Sequence, residues 1–179
     1  MPTYGEYIQL KAFARVDGAI MGALWVISFA GFVLSFSYPV LGTCSLILGI
    51  VSLVLNIMRL RAFRNEILEG AISFRRAFFY SMLTYLYASI ILVLAQLIYF
   101  KFIDHGTLMG QYLTLLSSDN LRQGLMQAYG LTDKELSQAV SMLRAMRPTD
   151  IALQFFMMNL FMGVVISLPT ALFIRKSRI

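Results

Sequence analysis

The side chains best suited to acid–base chemistry in this sequence are Asp104 and its neighbour His105, the chain's single histidine. A carboxylate beside an imidazole can transfer protons, and both groups can bind a metal ion. A metal site needs further ligands, but there is no second histidine, and the one cysteine, Cys44, is far away in the sequence. The signatures of serine hydrolases, zinc proteases and nucleotide-binding loops are also absent. We therefore expect His105 to be a solvated loop residue in a non-enzymatic protein with no catalytic residue, no metal and no cofactor.

A second group of chemically active residues is a set of arginines between residues 59 and 76. Basic residues beside a membrane span can bind anionic lipid headgroups or an acidic partner. They also set topology, because basic loops stay in the cytoplasm, and the sequence favours this topological role over a binding role. The candidate contacts for an anionic lipid are Arg59, Arg61, Arg64, Arg75 and Arg76.

The composition places these residues in a membrane protein. Of the 179 residues, 59% are hydrophobic and only 13% are charged, whereas soluble domains have about 25% charged residues. The formal net charge is +6, but the basic residues lie next to apolar runs. Such flanks indicate contact with lipid headgroups, and we expect no binding of nucleic acid.

Four apolar runs are long enough to cross a bilayer, since a hydrocarbon core of about 30 Å needs roughly 20 helical residues. They cover residues 16–36, 40–58, 77–100 and 151–174. Most basic residues near the span ends fall in residues 1–15, in 59–76 and in the C-terminal tail, so both termini are predicted to be cytoplasmic. The fold class is therefore an all-α membrane protein with four transmembrane helices, both termini inside, in a single membrane domain 1–179. Residues 101–150 are predicted to be extracytoplasmic.

Small and polar residues recur along three of the spans at helical spacing. Such seams let another helix approach closely, with hydroxyl and amide groups bonding across the contact. The alternative is a narrow polar pathway to which Gln96 would contribute, and packing is the favoured interpretation. The predicted packing residues are Gly18 and Gly22 in the first span, Gly42, Ser45, Gly49, Ser52 and Asn56 in the second, and Asn159, Gly163 and Ser167 in the fourth.

The segment 101–150 is predicted to form a helical hairpin. Thr132 and Glu135 match a capping box, and Gly130 fits the end of a preceding helix that starts as early as Thr107. Residues 117–119 could interrupt that helix, with Asp119 capping a new start. The second helix of the hairpin has an apolar face that would rest on the membrane surface, on the span ends or on a partner. This face, a candidate docking surface, contains Leu136, Val140, Leu143 and Met146.

Proton- or ion-coupled transporters usually keep an acidic residue inside a span, and the middle of each predicted span lacks one. The nearest is Asp17, at the cytoplasmic edge of the first span, where Arg15 could pair with it.

Three stretches carry a resemblance to a known family. Residues 72–104 (ISFRRAFFYSMLTYLYASIILVLAQLIYFKFID), 129–148 (YGLTDKELSQAVSMLRAMRP) and 162–176 (MGVVISLPTALFIRK) resemble the third span, the outer hairpin and the last span of a bacterial family catalogued as domain of unknown function 4199. The resemblance covers essentially the whole chain. It implies a four-span inner-membrane protein with no assigned activity, so it transfers no functional residue.

Two functional hypotheses remain open. The first is an accessory or interaction protein of the bacterial inner membrane, with membrane lipids and either a protein partner or a second copy as partners. The alternative is a small transporter or lipid-binding protein that uses the polar seams; it predicts a cavity between the spans.

Overall fold

The structure is a computed structural model that describes residues 4–176, without the side chain of Tyr4. These residues form seven α-helices, and a π-helical turn, Phe63–Ile67, directly continues the second of them. The helices are α1 (Tyr4–Leu34), α2 (Pro39–Ala62), α3 (Phe74–Phe102), α4 (Thr107–Leu116), α5 (Asp119–Tyr129), α6 (Asp133–Ala145) and α7 (Pro148–Ile174).

Four of these helices, α1, α2 with its π-helical turn, α3 and α7, are long and apolar enough to cross a membrane. The four predicted spans are thus confirmed as helices of a multi-pass membrane protein. Their starts follow local sequence: Pro39 and Pro148 each occupy the first turn of a helix, where the missing N–H costs nothing. The first helix begins well before the predicted Val16, because residues 4–15 continue its helical pattern.

The chain divides into two compact units. The first unit contains α1, α2, and the parts of α3 up to Ala95 and of α7 from Gln154. One hydrophobic core of this unit surrounds Tyr80, which is fully buried. Its ring stacks on that of Phe63, with the ring centroids 4.7 Å apart. Leu10, Leu60 and Ile174 pack around the same core.

Small residues bring the helices of the first unit close together. A Cβ atom on Gly18 would lie 2.5 Å from Cβ of Tyr87, and one on Gly163 would lie 2.6 Å from Cβ of Tyr85. Both distances are too short for a real Cβ contact, so α3 is packed against the bare backbones of α1 and α7. Close approach of this kind is how transmembrane helices gain van der Waals contact without a hydrophobic driving force.

The connection between α2 and α3 reverses the chain tightly. Glu69 and Gly70 both have positive φ angles, 53° and 85°, and Ser73 then caps α3, its hydroxyl accepting a hydrogen bond from the amide of Arg76 at 3.4 Å. Ile72 exchanges two backbone hydrogen bonds of 3.0 Å with Lys176. The C-terminal end of the described chain is therefore fastened to this reversal.

The second unit, Gln96–Leu153, contains three short helices where the sequence predicted a hairpin of two. The interruption at residues 117–119 is complete, so the first arm is divided into α4 and α5. Ser118, in extended conformation, is the N-cap of α5, and Asp119, which the sequence favoured as the cap, is the first residue of the helix. Gly130 ends α5 at a φ of 66° as predicted. Arg122 ties α5 to α6 by an ion pair with Asp133 at 2.5 Å.

The predicted capping box at the start of α6 is confirmed. The amide of Thr132 donates to Oε2 of Glu135 at 2.8 Å, and the amide of Glu135 donates to the Thr132 hydroxyl at 3.3 Å. These bonds favour the ionised carboxyl, so the backbone amide and then the hydroxyl of Thr132 hold the pKa of Glu135 below its ordinary value.

This capping box predicts a pH dependence. Because the pKa of Glu135 is lower in the folded protein, its contribution to stability is complete above the ordinary pKa and is lost as the pH falls through the lowered one. We expect the carboxyl carbon of Glu135, followed by NMR with selectively labelled glutamate, to titrate below the ordinary glutamate range. In Thr132→Val the midpoint should move back toward that range. An identical midpoint in both proteins would exclude the hydroxyl as a cause.

Candidate functional site

The structure gives Asp104 a structural role in place of an acid–base one. Asp104 is 4% exposed, and its carboxylate accepts hydrogen bonds from the amides of Gly106 and Leu108 and from the Tyr99 hydroxyl. These bonds anchor the start of α4. His105 is exposed, as predicted for a loop histidine. Residues 4–176 contain no group of three or more side chains that could hold a metal ion.

A buried ionic cluster, which we call the Asp17 cluster, lies in the first unit. Asp17 is 3% exposed, and its Oδ1 accepts from Nη2 of Arg59 at 2.5 Å and from Nε at 2.6 Å. The hydroxyl of Tyr80 donates to the second carboxylate oxygen. The partner of Asp17 is therefore Arg59 of α2, whereas the sequence pointed to Arg15, which is exposed. Arg15 is only two residues away on the same helix and cannot turn back to the face on which Asp17 is buried.

An opening of the first unit, which we call the basic cavity, has a volume of ≈ 1500 Å³. Four cations line it, Arg75, Arg76, Arg175 and Lys176, together with the carboxylates Glu6 and Glu69. Apolar residues form most of the rest of the wall, beside the polar Gln9 and Ser73. They include Leu10, Phe79, Met82 and Leu83.

Backbone contacts bring these four cations together from distant parts of the sequence. The paired hydrogen bonds between Ile72 and Lys176 place the end of the described chain beside the start of α3. Nη1 of Arg64 donates to the carbonyl of Ile174 at 3.0 Å and holds the end of α7 from the other side. Backbone hydrogen bonds and the contact from Arg64 thus bring the end of α7 and the start of α3 together.

Arg76 has two buried donors that no described residue satisfies. Its Nη1 pairs with Oε1 of Glu6 at 3.2 Å, but its Nε and Nη2 are buried and have no hydrogen-bond partner among the described residues. A guanidinium group normally uses such donors on a planar, bidentate acceptor such as a phosphate or carboxylate. A buried charged donor without an acceptor is costly, so this position calls for an anionic group.

The arginines singled out from the sequence therefore separate into different roles. Arg59 belongs to the Asp17 cluster, and Arg64 holds the end of α7. Arg61 is exposed. Only Arg75 and Arg76 line the basic cavity. Sequence reasoning did not connect them with Arg175 and Lys176, although the prediction that the tail and the arginine-rich connection share one side of the membrane was a signal for it.

The polar seams lie along a second opening of the first unit, which we call the lateral groove. Its volume is ≈ 780 Å³, and α1, α2, α3 and α7 all contribute to its lining. From the seams it includes Gly42, Ser45, Gly49, Ser52, Asn159 and Gly163. The seams thus pack at some positions and border an opening at others.

Most of the seam hydroxyls are already engaged by the protein. Ser45 donates to the carbonyl of Ser28 at 2.6 Å, and Ser28 returns a bond of 3.0 Å to the carbonyl of Ser45, which joins α1 to α2. Ser52 and Ser167 each bond a carbonyl of their own helix. Elsewhere in the seam, Oδ1 of Asn56 accepts from Ser81 at 3.0 Å. Gln96 belongs to the other unit, where it is 2% exposed and its Oε1 has no partner among residues 4–176.

Of the predicted docking face of α6, one residue, Leu136, is buried inside the second unit. Leu136 is 5% exposed, so it serves the packing of the helices of this unit and is not open to a partner. Val140, Leu143 and Met146 are half-buried. The residues of α5 and α6 that are open to a partner are different ones, Tyr129 at 73% and Met142 at 66% exposure.

A family model described as "Protein of unknown function (DUF4199)" matches residues 17–176. The matched region begins within α1, includes the other three spans and contains every residue of the Asp17 cluster. No curated protein and no solved structure matches the chain.

Proposed function

We propose that this chain, which belongs to the DUF4199 family of proteins of unknown function, is a non-enzymatic accessory protein of a bacterial inner membrane that binds an anionic lipid. The observation that carries the proposal is the basic cavity, which is lined by Arg76, with its unsatisfied Nε and Nη2, and by three other cations.

The chemistry of the cavity fits a phospholipid better than a soluble anion. A phosphate can accept two parallel hydrogen bonds from the Nε–Nη2 edge of Arg76 while Arg75, Arg175 and Lys176 balance its charge. The apolar wall, which contains Phe79 and Met82, can accept the adjoining hydrocarbon. A soluble anion would leave that wall without a partner.

Topology supports the same ligand. With both termini and residues 59–76 in the cytoplasm, as the distribution of basic residues favours, the cavity faces the cytoplasmic headgroups. That leaflet carries most of the anionic lipid that a basic site can use. Residues 101–150 are then extracytoplasmic.

Removing exposed cations of the cavity should weaken lipid binding. We expect the double variant Arg75→Gln/Arg175→Gln to bind phosphatidylglycerol about thirtyfold more weakly than the parent, since each of the two headgroup contacts contributes about 1 kcal/mol. The measurement is native mass spectrometry of protein taken from nanodiscs of equal phosphatidylglycerol and phosphatidylcholine content. Arg61→Gln is the matched control, because Arg61 is an exposed arginine of the same segment outside the cavity.

The outcomes separate the lipid role from a general charge effect. If Arg61→Gln and the double variant lose lipid equally, or if the parent retains both lipids equally, the cavity is not a lipid site. Purification of the parent from its native membrane, followed by native mass spectrometry, tests the alternative that the protein binds a protein partner. A stoichiometric protein partner without retained lipid would favour an interaction protein, for which Tyr129 and Met142 are the exposed contacts.

A further inference from the structure

Tyr85, a residue of the lateral groove lining, has a hydrogen-bond donor that no described residue uses. Its side chain lines the groove and is 1% exposed, yet its hydroxyl is buried and has no partner among the described residues. The seam serines beside it are satisfied by backbone carbonyls, so they do not compete for it. A buried hydroxyl without a partner costs free energy, and a ligand with an acceptor at this position would remove that cost.

The groove is neutral along its entire lining. Serine, glycine, aliphatic and aromatic residues form it, with Tyr85 and Asn159 as its polar groups that bond to no described residue, and it has no acidic or basic side chain. Charge complementarity therefore excludes an anionic or cationic occupant at this site, in contrast to the basic cavity. The occupant must be mainly hydrocarbon and must carry a neutral oxygen acceptor.

The depth of these polar groups in the membrane further restricts the class of ligand that can reach them. Tyr85 lies eleven residues into α3 and Asn159 lies eleven residues into α7. At 1.5 Å per residue each is about 16 Å from the start of its helix, which is close to the middle of a hydrocarbon core of about 30 Å. The ester carbonyls of glycerolipids lie at the membrane interface and do not reach this depth.

We propose that the lateral groove binds an isoprenoid quinone, with a ring carbonyl accepting the Tyr85 hydroxyl and the apolar tail lying along α2 and α7. A quinone is neutral, dissolves in the bilayer interior and carries carbonyl acceptors on a ring at the end of a hydrocarbon chain. The Asn159 amide is the second polar group available to the ring. Trp25 and Tyr85, whose ring centroids are 6.0 Å apart, supply aromatic surface beside it. This inference is independent of the lipid proposed for the basic cavity.

The chain contains its own reporter for the test. Trp25 is the only tryptophan and lines the groove, and quinones quench indole fluorescence. We expect decylubiquinone, added to the protein in phosphatidylcholine nanodiscs, to quench Trp25 with a saturable dependence on its mole fraction. In Tyr85→Phe the half-saturating mole fraction should rise about three- to tenfold, the effect of losing one hydrogen bond.

The control is Tyr87→Phe, which removes a hydroxyl from the same helix outside the groove lining and should leave the titration unchanged. Tyr85→Phe should fold normally, because the lost hydroxyl bonds no described residue. Quenching that rises linearly without saturation, or an equal shift in both variants, would overturn the proposal. So would a dimer in native mass spectra whose formation protects Trp25, since the groove would then hold a second copy of the chain.

Discussion

Replacing Asp17 by alanine should lower the free energy of unfolding by about 2 kcal/mol, less than for a fully buried ion pair, because the Arg59 side chain is 42% exposed and water can solvate its charge. The change leaves the Arg59 guanidinium without its counter-ion and the fully buried Tyr80 hydroxyl without its acceptor. The measurement is SDS-titrated unfolding in mixed micelles. Asp17→Asn should fall between the parent and the alanine variant, because an amide oxygen can still accept from Tyr80 but carries no charge.

The matched control removes a carboxylate from an exposed ion pair. Asp133 pairs with Arg122 at 2.5 Å, but its side chain is 72% exposed, so Asp133→Ala should cost less than about 1 kcal/mol. Equal losses for Asp17→Ala and Asp133→Ala would show that the Asp17 cluster does not stabilise the bundle through a buried charge.

Gly18→Ala should destabilise the protein by about 2 kcal/mol, within the range found for overpacked sites. The added Cβ would lie 2.8 Å from the backbone carbonyl oxygen of Thr84 as well as 2.5 Å from Cβ of Tyr87. Neither atom is the end of a flexible side chain, so α1 and α3 must move apart. The same unfolding assay measures the loss.

Gly49→Ala is the control for the glycine change itself. A Cβ on Gly49 would meet nothing within 4 Å, and alanine favours a helix over glycine by up to about 1 kcal/mol. We therefore expect Gly49→Ala to be neutral or stabilising. If Gly49→Ala lost as much stability as Gly18→Ala, the loss would come from replacing a glycine in a span as such, and not from the contact between α1 and α3.

Local signals in the sequence predicted the helices well. The four spans follow from apolar length, and the capping box at Thr132 and the helix end at Gly130 follow from residues within one turn of each other. The sequence left open whether residues 117–119 interrupt the first arm of the hairpin, because apolar positions continue on both sides of them. Periodicity alone does not tell a continuous helix from two consecutive ones.

The sites depend on contacts that no local pattern contains. Asp17 and Arg59 are 42 positions apart, so a search among neighbours found Arg15 instead. Ile72 and Lys176 meet through backbone atoms, which carry no side-chain signal. The sequence also could not predict that the buried hydroxyl of Tyr85 has no partner. Whether a buried donor finds an acceptor depends on the positions of all the neighbouring helices.

The backbone bridge between Ile72 and Lys176 also has a consequence for the order of biosynthesis. Ribosomes make the arginine-rich connection long before the residues around 176, so Arg75 and Arg76 enter the membrane without two of the cations beside them. The group of four cations that we propose as a phosphate site forms only when the fourth span has been inserted and its end has reached the reversal after α2. Lipid capture at this position would then act as a final assembly step, which locks the last helix to a part of the bundle inserted earlier.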